Sequence, residues 1–491
     1  MAVDIRKKLQ PLEVLDLKKC RSVAKTVEQM EKCAIGARMT GEVAKSLTDL
    51  ILKKEEIIVI YDGKKDTEIG KLIFKMAIKK KWFSQVFTPE EYANTKRRKK
   101  DIALVIGSFS ERYESAIFRE TKRAIFINLS NQFKSGQVRD GFFPDFVNAD
   151  PRLIIPILYL TLEERIEKKT SRISELIKLW SKMGGPATQA ADGFKTLQKM
   201  VTDPNCFVFG TFSGIMTVAK MGGIIAEMID REWLNGISAT GALICHGFVE
   251  GVGLKHFKYN PKFEDLEMAS QKLNRITDSV EPEENLDHVE EVLDHILNRA
   301  IDGKKPVSPT QINSFIGKYL ARKYPDGPSI LRSAYLKKAP VFIPASVDSE
   351  LGNDIYITNE KRLKKGRRPI VVDHEIDSRL LVKLVTGAKK VGIFSIDGGV
   401  PRNNVQNVAP LIEIMNARLN LNLPERMFSY GCRIDPTFPY LGNLSGCTYS
   451  EGGSWRKMDL KRGRFSEVQA DAAMVLPFYA RGLVDLSSQK K

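Results

Sequence analysis

Apolar residues along the chain gather in short runs that alternate with stretches of helical periodicity. Ile57 to Tyr61 is an apolar run closed by the turn signal Asp62-Gly63, and it predicts a strand. Behind it, Ile69, Leu72, Ile73 and Met76 fall on one helical face. Ile102 to Ile106, Ala124 to Ile127 and Leu153 to Leu160 predict further strands. Residues 1–165 therefore read as a small α/β region, or an extra layer on a larger domain.

Residues 166–491 repeat the alternation on a larger scale. A helical stretch from Thr161 to Lys199 breaks at Gly184-Gly185-Pro186. Cys206 to Phe209 predicts a buried strand that ends in the polar loop Gly210-Thr211-Phe212-Ser213-Gly214, before a helix carrying Met216, Val218, Ile224 and Ile225. Backbone N–H groups and hydroxyls at such a helix start suit a cofactor phosphate. Ile237 to Thr240 predicts the next strand, with Cys245 and His246 in a loop loosened by Gly241 and Gly247. Neighbours in an extended segment point to opposite faces, which argues against a Cys–His catalytic pair and leaves a pocket-lining role for one of them. Glu283 to Ile296 is an acidic helix with His288 and His295 on its surface, and Ser308-Pro309-Thr310 starts another helix. Pro340 to Pro344 and Val391 to Ile396 are further strands. The first is followed by Asp348, Glu350, Gly352 and Asp354, the second by Asp397-Gly398-Gly399, Arg402, Asn403 and Asn404. Polar residues at the carboxyl ends of strands are ligand candidates in an open α/β sheet. The expected fold is a mostly parallel central sheet with helices on both faces.

Composition narrows the class. The 491 residues allow two to three domains, and 43% hydrophobic with 28% charged residues is ordinary for a globular chain. No apolar stretch approaches the ~18 residues of a membrane span, and Met1 to Lys8 has no apolar run behind it, so a cytoplasmic enzyme is expected. Six cysteines without a CxxC pair argue against a disulfide scaffold and a structural zinc site, and no metal is expected. The net charge of +17 favours anionic ligands. Its densest run, Lys96 to Lys100, lacks interleaved aromatics, so it reads as a solvated face and nucleic acid is not favoured. The chain shows no zinc finger, no complete phosphate-binding lysine loop and no clear repeat.

The last third holds the most reactive pattern, Ser445-Gly446-Cys447-Thr448-Tyr449-Ser450-Glu451-Gly452-Gly453-Ser454-Trp455-Arg456-Lys457. A lysine of lowered pKa can form an imine with a carbonyl intermediate. Desolvation by Trp455 and the charge of Arg456 would lower that of Lys457, and Glu451 could hold a cationic amine.

Together with Phe207 to Gly214, Pro340 to Asp354, Asp397 to Asn407 and Val468 to Pro477, this block makes the chain from about Ile173 to Leu486 resemble the deoxyhypusine synthase family and its homospermidine synthase-like relatives. The resemblance implies a Rossmann-like fold, a homotetramer and NAD bound at a dimer interface. It implies that Lys457 carries the aminobutyl group as an imine, with Trp455 as the aromatic wall and Glu451 as the amine-binding carboxylate. The family's cofactor contacts match Thr211, Phe212, Ser213, Asp348, Ser445, Asp471 and Ala472. Its substrate contacts fall at Asn353, Asp354, Asn403, Gly442 and Leu444.

Some of these are departures. Cys245-His246 stand where the family has an acidic residue near the ribose, and Asn403-Asn404 replace a histidine pair. Asn353 and Leu444 replace polyamine-binding aspartates, with Asp354 one place on. The implied activity is transfer of an aminobutyl group from a polyamine to an acceptor amine, either a lysine of the translation factor 5A precursor or a small amine. Alternatives are an NAD-dependent enzyme acting on a less cationic amine or amino acid, and a non-catalytic nucleotide-binding relative.

Overall fold

The computed structural model describes residues 4–95, 101–108, 113, 117, 120–128 and 145–488, so the basic run Lys96 to Lys100 lies outside the described residues. The chain forms two compact units, residues 16–192 with 473–491 and residues 1–15 with 193–472. We call them the amino-terminal unit and the main unit. No helix among the described residues is long and apolar enough to cross a membrane.

The amino-terminal unit begins with α1 (Val23–Met30) and α2 (Ile35–Leu52). Five parallel strands follow, β1 (Ile57–Tyr61), β2 (Gln85–Phe87), β3 (Ile102–Ile106), β4 (Arg123–Asn128) and β5 (Phe146–Asn148), in the order β2-β1-β3-β4-β5. All five residues of β1 and of β3 are buried, as continuous apolar runs covered on both faces should be. Thr67 caps α3 (Glu68–Phe74) by accepting from Gly70 N, and Ile69, Leu72, Ile73 and Met76 are buried as the periodicity predicts.

Leu153 to Leu160 is not a strand. It lies inside α4 (Pro151–Glu167), where Asp150 caps the helix and Pro151 occupies its first position. Every residue from Leu153 to Glu163 is buried, so the helix shows no polar face that could reveal its period. Helices α5 (Ile173–Met183) and α6 (Gly185–Thr202) follow, separated at Gly184.

The main unit is built on β6 (Cys206–Phe212), β7 (Gly236–Ala239), β8 (Val341–Phe342), β9 (Lys390–Ile396), β10 (Tyr430–Ile434) and β11 (Arg464–Val468). All pairs are parallel, in the order β8-β7-β6-β9-β10-β11. Numbered within the sheet this is 3-2-1-4-5-6, the doubly wound Rossmann-like arrangement, with its switch point between β6 and β9. Phe209, Val391, Ile393, Val405, Ile412 and Phe428 belong to its core.

Two local expectations change here. Cys245 and His246 lie in α7 (Gly241–Gly251), not in a loop. The close approach of Ser349 to the start of α7 requires glycine there, because a Cβ on Gly241 would meet Ser349 Oγ at 2.3 Å. Glu350, Gly352 and Asp354 form the first turns of α8 (Glu350–Lys364), started by Ser349, whose hydroxyl accepts from Gly352 N.

Candidate active site

The polar ends of β6, β9, β10 and β11 meet along one edge of the main sheet. β9 delivers Asp397 and Gly398, both in the left-handed region (φ 47° and 63°), and then α9 (Gly399–Gln406) with Arg402 and Asn403. A Cβ on Gly399 would come within 2.7 Å of Leu444 Cβ and 2.9 Å of Ser445 N, so α9 starts directly against the 444–445 segment.

Lys457 follows the short helix α10 (Tyr449–Ser454), which Thr448 starts by accepting from Glu451 N. Its backbone is tied down by Lys457 N→Gly452 O (3.0 Å) and Phe428 N→Lys457 O (2.9 Å). Its Nζ donates to Asn403 Oδ1 at 2.7 Å and lies 5.7 Å from the Trp455 ring centroid, within cation–π range. Burial of this half-buried amine lowers its pKa, and the cationic Arg402 lowers it further, against the opposing influence of Cys447 and Glu451.

The cation responsible is therefore Arg402 and not Arg456, which pairs with Glu413. Arg402 is buried and donates to Leu444 O at 2.7 Å, while its Nε and Nη1 have no hydrogen-bond partner. Trp455 is 63% exposed, so its indole is available to cover a ligand. Glu451 is exposed and accepts from Cys447 Sγ at 3.6 Å.

Beside Asn403 opens a cavity of about 290 Å³ lined by Pro344, Val400, Asn403, Asn404 and Leu444 among others. Leu444 gives it an apolar wall. Ser445 is turned onto Asn443 (3.1 Å), and Gly442 is a left-handed turn residue (φ 72°).

A second group gathers at the sheet edge. Burial, with Asp435 and Asp471 nearby, pushes the carboxyl of Asp397 up to about 8, against the opposing influence of Ser213 and Arg433. Asp435 directly follows β10, and Asp471 comes after β11, directly before Ala472, which is buried and opens α11 (Ala472–Ser488). Thr211 is fully buried and donates to Ser395 Oγ at 2.8 Å, and Phe212 is buried with its ring edge-on to Phe394. These two residues shape the strand end and leave Ser213 as the first polar side chain beyond it. Asp348 is exposed. Thr240 Oγ1, at the end of β7, and Asp435 Oδ2 are buried without a hydrogen-bond partner. Neither was singled out from the sequence, although the rule that strand ends bind ligands would have found both.

A third group surrounds the start of α8. Asn353 is exposed, and Asp354 is raised to about 7 by burial and by the charges of Glu290 and Glu350. Cys245 accepts from Leu351 N at 3.0 Å, and burial pushes its thiol pKa up, which disfavours the reactive thiolate.

His246 points elsewhere, with Nδ1 2.9 Å from Glu281 Oε2 and 3.4 Å from His256 Nε2. Lys220 Nζ sits 2.7 Å from both His256 Nδ1 and Glu250 Oε1. A lysine ammonium donating to Nδ1 leaves the ring proton on Nε2, the nitrogen a metal would need. This buried cluster is thus read as a hydrogen-bonded network, and neither Cys245 nor His246 lines the cavity beside Asn403.

Comparison with known proteins gives this arrangement a context. Residues 175–483 match the family model described as deoxyhypusine synthase. The chain is 29% identical to the "Probable deoxyhypusine synthase 2" of Archaeoglobus fulgidus, over 63% of this chain and 97% of that protein. It is 27% identical to the protein of the same description from Methanosarcina acetivorans, over 65% of this chain and 88% of that protein. With the "Deoxyhypusine synthase-like protein" of Chlorobaculum parvum it shares 28% identity, over 64% of this chain and 91% of that protein. The matched segment contains the whole parallel sheet of the main unit, the switch point and the lysine block, and on that ground the chain belongs to the deoxyhypusine synthase family.

Proposed function

We propose that the main unit is an NAD-dependent alkylamine transferase in which Lys457 carries the transferred fragment as an imine. The observation behind this reading is the environment of Lys457: a half-buried amine of lowered pKa, held by Asn403 Oδ1 at 2.7 Å beside an exposed indole. The carboxyl-edge groups Ser213, Thr240, Asp348, Asp435 and Asp471 suit a dinucleotide, because Thr240 Oγ1 and Asp435 Oδ2 are buried polar atoms without partners. Bound NAD would accept a hydride from the carbon beside the donor's amine and return it later, leaving no net redox change.

The protein's own residues do the rest. Neutral Lys457 adds its lone pair to the electrophilic carbon of the oxidised donor, and the departing amine leaves with a proton. Asn403 aims Nζ, and Arg402 keeps the amine from holding its proton too tightly. Trp455 covers the aliphatic carbons of the fragment, and Glu451 offers a carboxylate to its free ammonium. An acceptor amine then displaces Lys457. That acceptor is a protein lysine, as in the translation factor 5A precursor, or a small amine, and the working assembly is a cytoplasmic homotetramer.

A second reading rests on Leu444. This residue walls the cavity beside Asn403 with apolar surface and cannot pair with an ammonium. A polyamine needs several carboxylates, since an unpaired buried charge is costly. The cavity therefore also suits a less cationic amine or an amino acid.

The deciding experiment incubates the protein with NAD and candidate amines, traps imines with borohydride and maps them by mass spectrometry. An adduct on Lys457 that is absent from Lys457→Arg supports the reading. An adduct on another lysine, or normal turnover by Lys457→Arg, overturns it.

A further inference from the structure

The sequence shows no clear repeat, yet the ladders of the two parallel sheets coincide. In the amino-terminal unit β1 pairs with β2 as Ile58–Gln85, Val59–Val86 and Ile60–Phe87. In the main unit β6 pairs with β7 as Phe209–Gly236, Gly210–Ile237 and Thr211–Ser238, every partner displaced by the same number of residues. Ser84 N donates to Ile57 O at 2.8 Å where Asn235 N donates to Val208 O at 2.8 Å, the same displacement again. β3 lies beside β1 as β9 lies beside β6. At their ends Asp62 N→Ile106 O (3.1 Å) repeats Ser213 N→Ile396 O (3.2 Å), and Gly107 N→Ile127 O (3.0 Å) repeats Asp397 N→Ile434 O (3.1 Å).

The agreement extends to irregular positions. α2 and α6 each have 18 residues, and each opens with a left-handed residue, Ile35 (φ 58°) and Gly185 (φ 51°). Lys81 (φ 56°) precedes the buried Trp82 as Glu232 (φ 59°) precedes the buried Trp233. A bulky residue in this conformation is uncommon, so the recurrence at Lys81 and Glu232, with Ile35 matched to a glycine at the other helix start, is not a generic feature of α/β sheets. After the last strand, Ala149-Asp150 leads into the 17-residue α4 and Ala470-Asp471 into the 17-residue α11, with Pro156 and Pro477 at the same place inside each helix.

We propose that residues 23–167 are a second, non-catalytic copy of the family's own fold, so that each chain carries two such folds and one reactive site. This limit to one site rests on the proposed function of the main unit. Among its described residues the copy shows no counterpart of β8, the strand that precedes Asp348. Residues 129–145, which join β4 to β5, contain no tryptophan and no glutamate, whereas 435–463 hold the Glu451–Lys457 block.

The cofactor edge has also been dismantled. Pro89 takes the place of Thr240, and Asp62 the place of Ser213. Asp150, the counterpart of Asp471, is consumed by Arg152, which donates Nε at 2.9 Å, Nη2 at 2.5 Å and its backbone N at 2.8 Å. A carboxylate so occupied cannot receive two ribose hydroxyls.

Two measurements on the full chain test this. Calorimetric titration with NAD should give one site per chain, weakened at least tenfold by Asp471→Asn and changed less than twofold by Asp150→Asn, which keeps the helix cap. Two sites per chain, or loss on Asp150→Asn alone, overturns the proposal. A crystal structure supplies the second readout, in which the ladders at Ile58–Gln85 and Phe209–Gly236 keep equivalent register and the two Asp-capped helices follow equivalent strands. A one-residue slip in either ladder, or a different strand order, overturns the copy. If NAD does not bind at all, the cofactor reading of the main unit fails, and the crystallographic register still decides the duplication.

Discussion

After β1 the chain turns through Asp62-Gly63, and after β6 it turns through Ser213-Gly214. Both turns close with the same backbone hydrogen bond, yet they offer different chemistry. One presents a carboxylate, the other a hydroxyl beside three further acids at the sheet edge. After the last strand one unit pairs its aspartate with Arg152, while in the other Asp471 stands near Asp397. The comparison shows that strand register persists where apolar runs are buried on both faces, because a one-residue slip would exchange the faces of every side chain. The loops at the carboxyl ends carry no such constraint, and function resides there.

The sharpest way to break the comparison is at the lysine block, which the amino-terminal unit lacks. Lys457→Arg should lower product formation by roughly three orders of magnitude or more while NAD affinity stays near wild type. Lys461→Arg, at an exposed neighbour, should leave turnover within about twofold. Steady-state kinetics and calorimetry check both.

Asn403→Asp comes next. A carboxylate 2.7 Å from Nζ would raise the pKa of Lys457 by about 1–3 units. Because the neutral amine attacks, activity rises as pH passes upward through that pKa. The acidic limb of the kcat/KM profile should therefore move to higher pH by the same amount. An unmoved limb would show that Lys457 does not control it.

Asp397→Asn probes the acidic edge, where the amino-terminal unit has Gly107. The carboxyl of Asp397 titrates near 8 in the fold, above its ordinary value of 3.8, so the folded state binds more protons than the unfolded state between these values. Stability falls as pH rises through this window. Asparagine tolerates the left-handed backbone and removes the loss, so the variant should gain about 1–3 kcal/mol at pH 9 and little at pH 4, after allowance for partial exposure. Denaturant unfolding at the two pH values measures it.

The smallest effect is expected at Asp150. Asp150→Asn should keep the cap of α4 and change kcat/KM by less than about twofold, since its carboxylate serves Arg152 alone. A larger loss, seen in the same assay as Lys457→Arg, would mean that the two units are not divided into reactive and unreactive.

Much of this was legible in the sequence. Ile57 to Tyr61, Ile102 to Ile106, Cys206 to Phe209 and Val391 to Ile396 are strands because short apolar runs bounded by turn residues have few other options. The block from Glu451 to Lys457 pointed to the lysine through its resemblance to the family's reactive segment. Leu153 to Leu160 misled because a helix buried on every side loses its period. The neighbours of Lys457 had to come from the tertiary structure. Arg402 and Asn403 reach it from another helix, and Arg456, its neighbour in sequence, turns away to Glu413. The repeat was hidden for the same reason. Side chains can be exchanged freely wherever burial and volume are kept, whereas the backbone hydrogen bonds that fix register cannot be read from side-chain identity and emerge only when the strands pair.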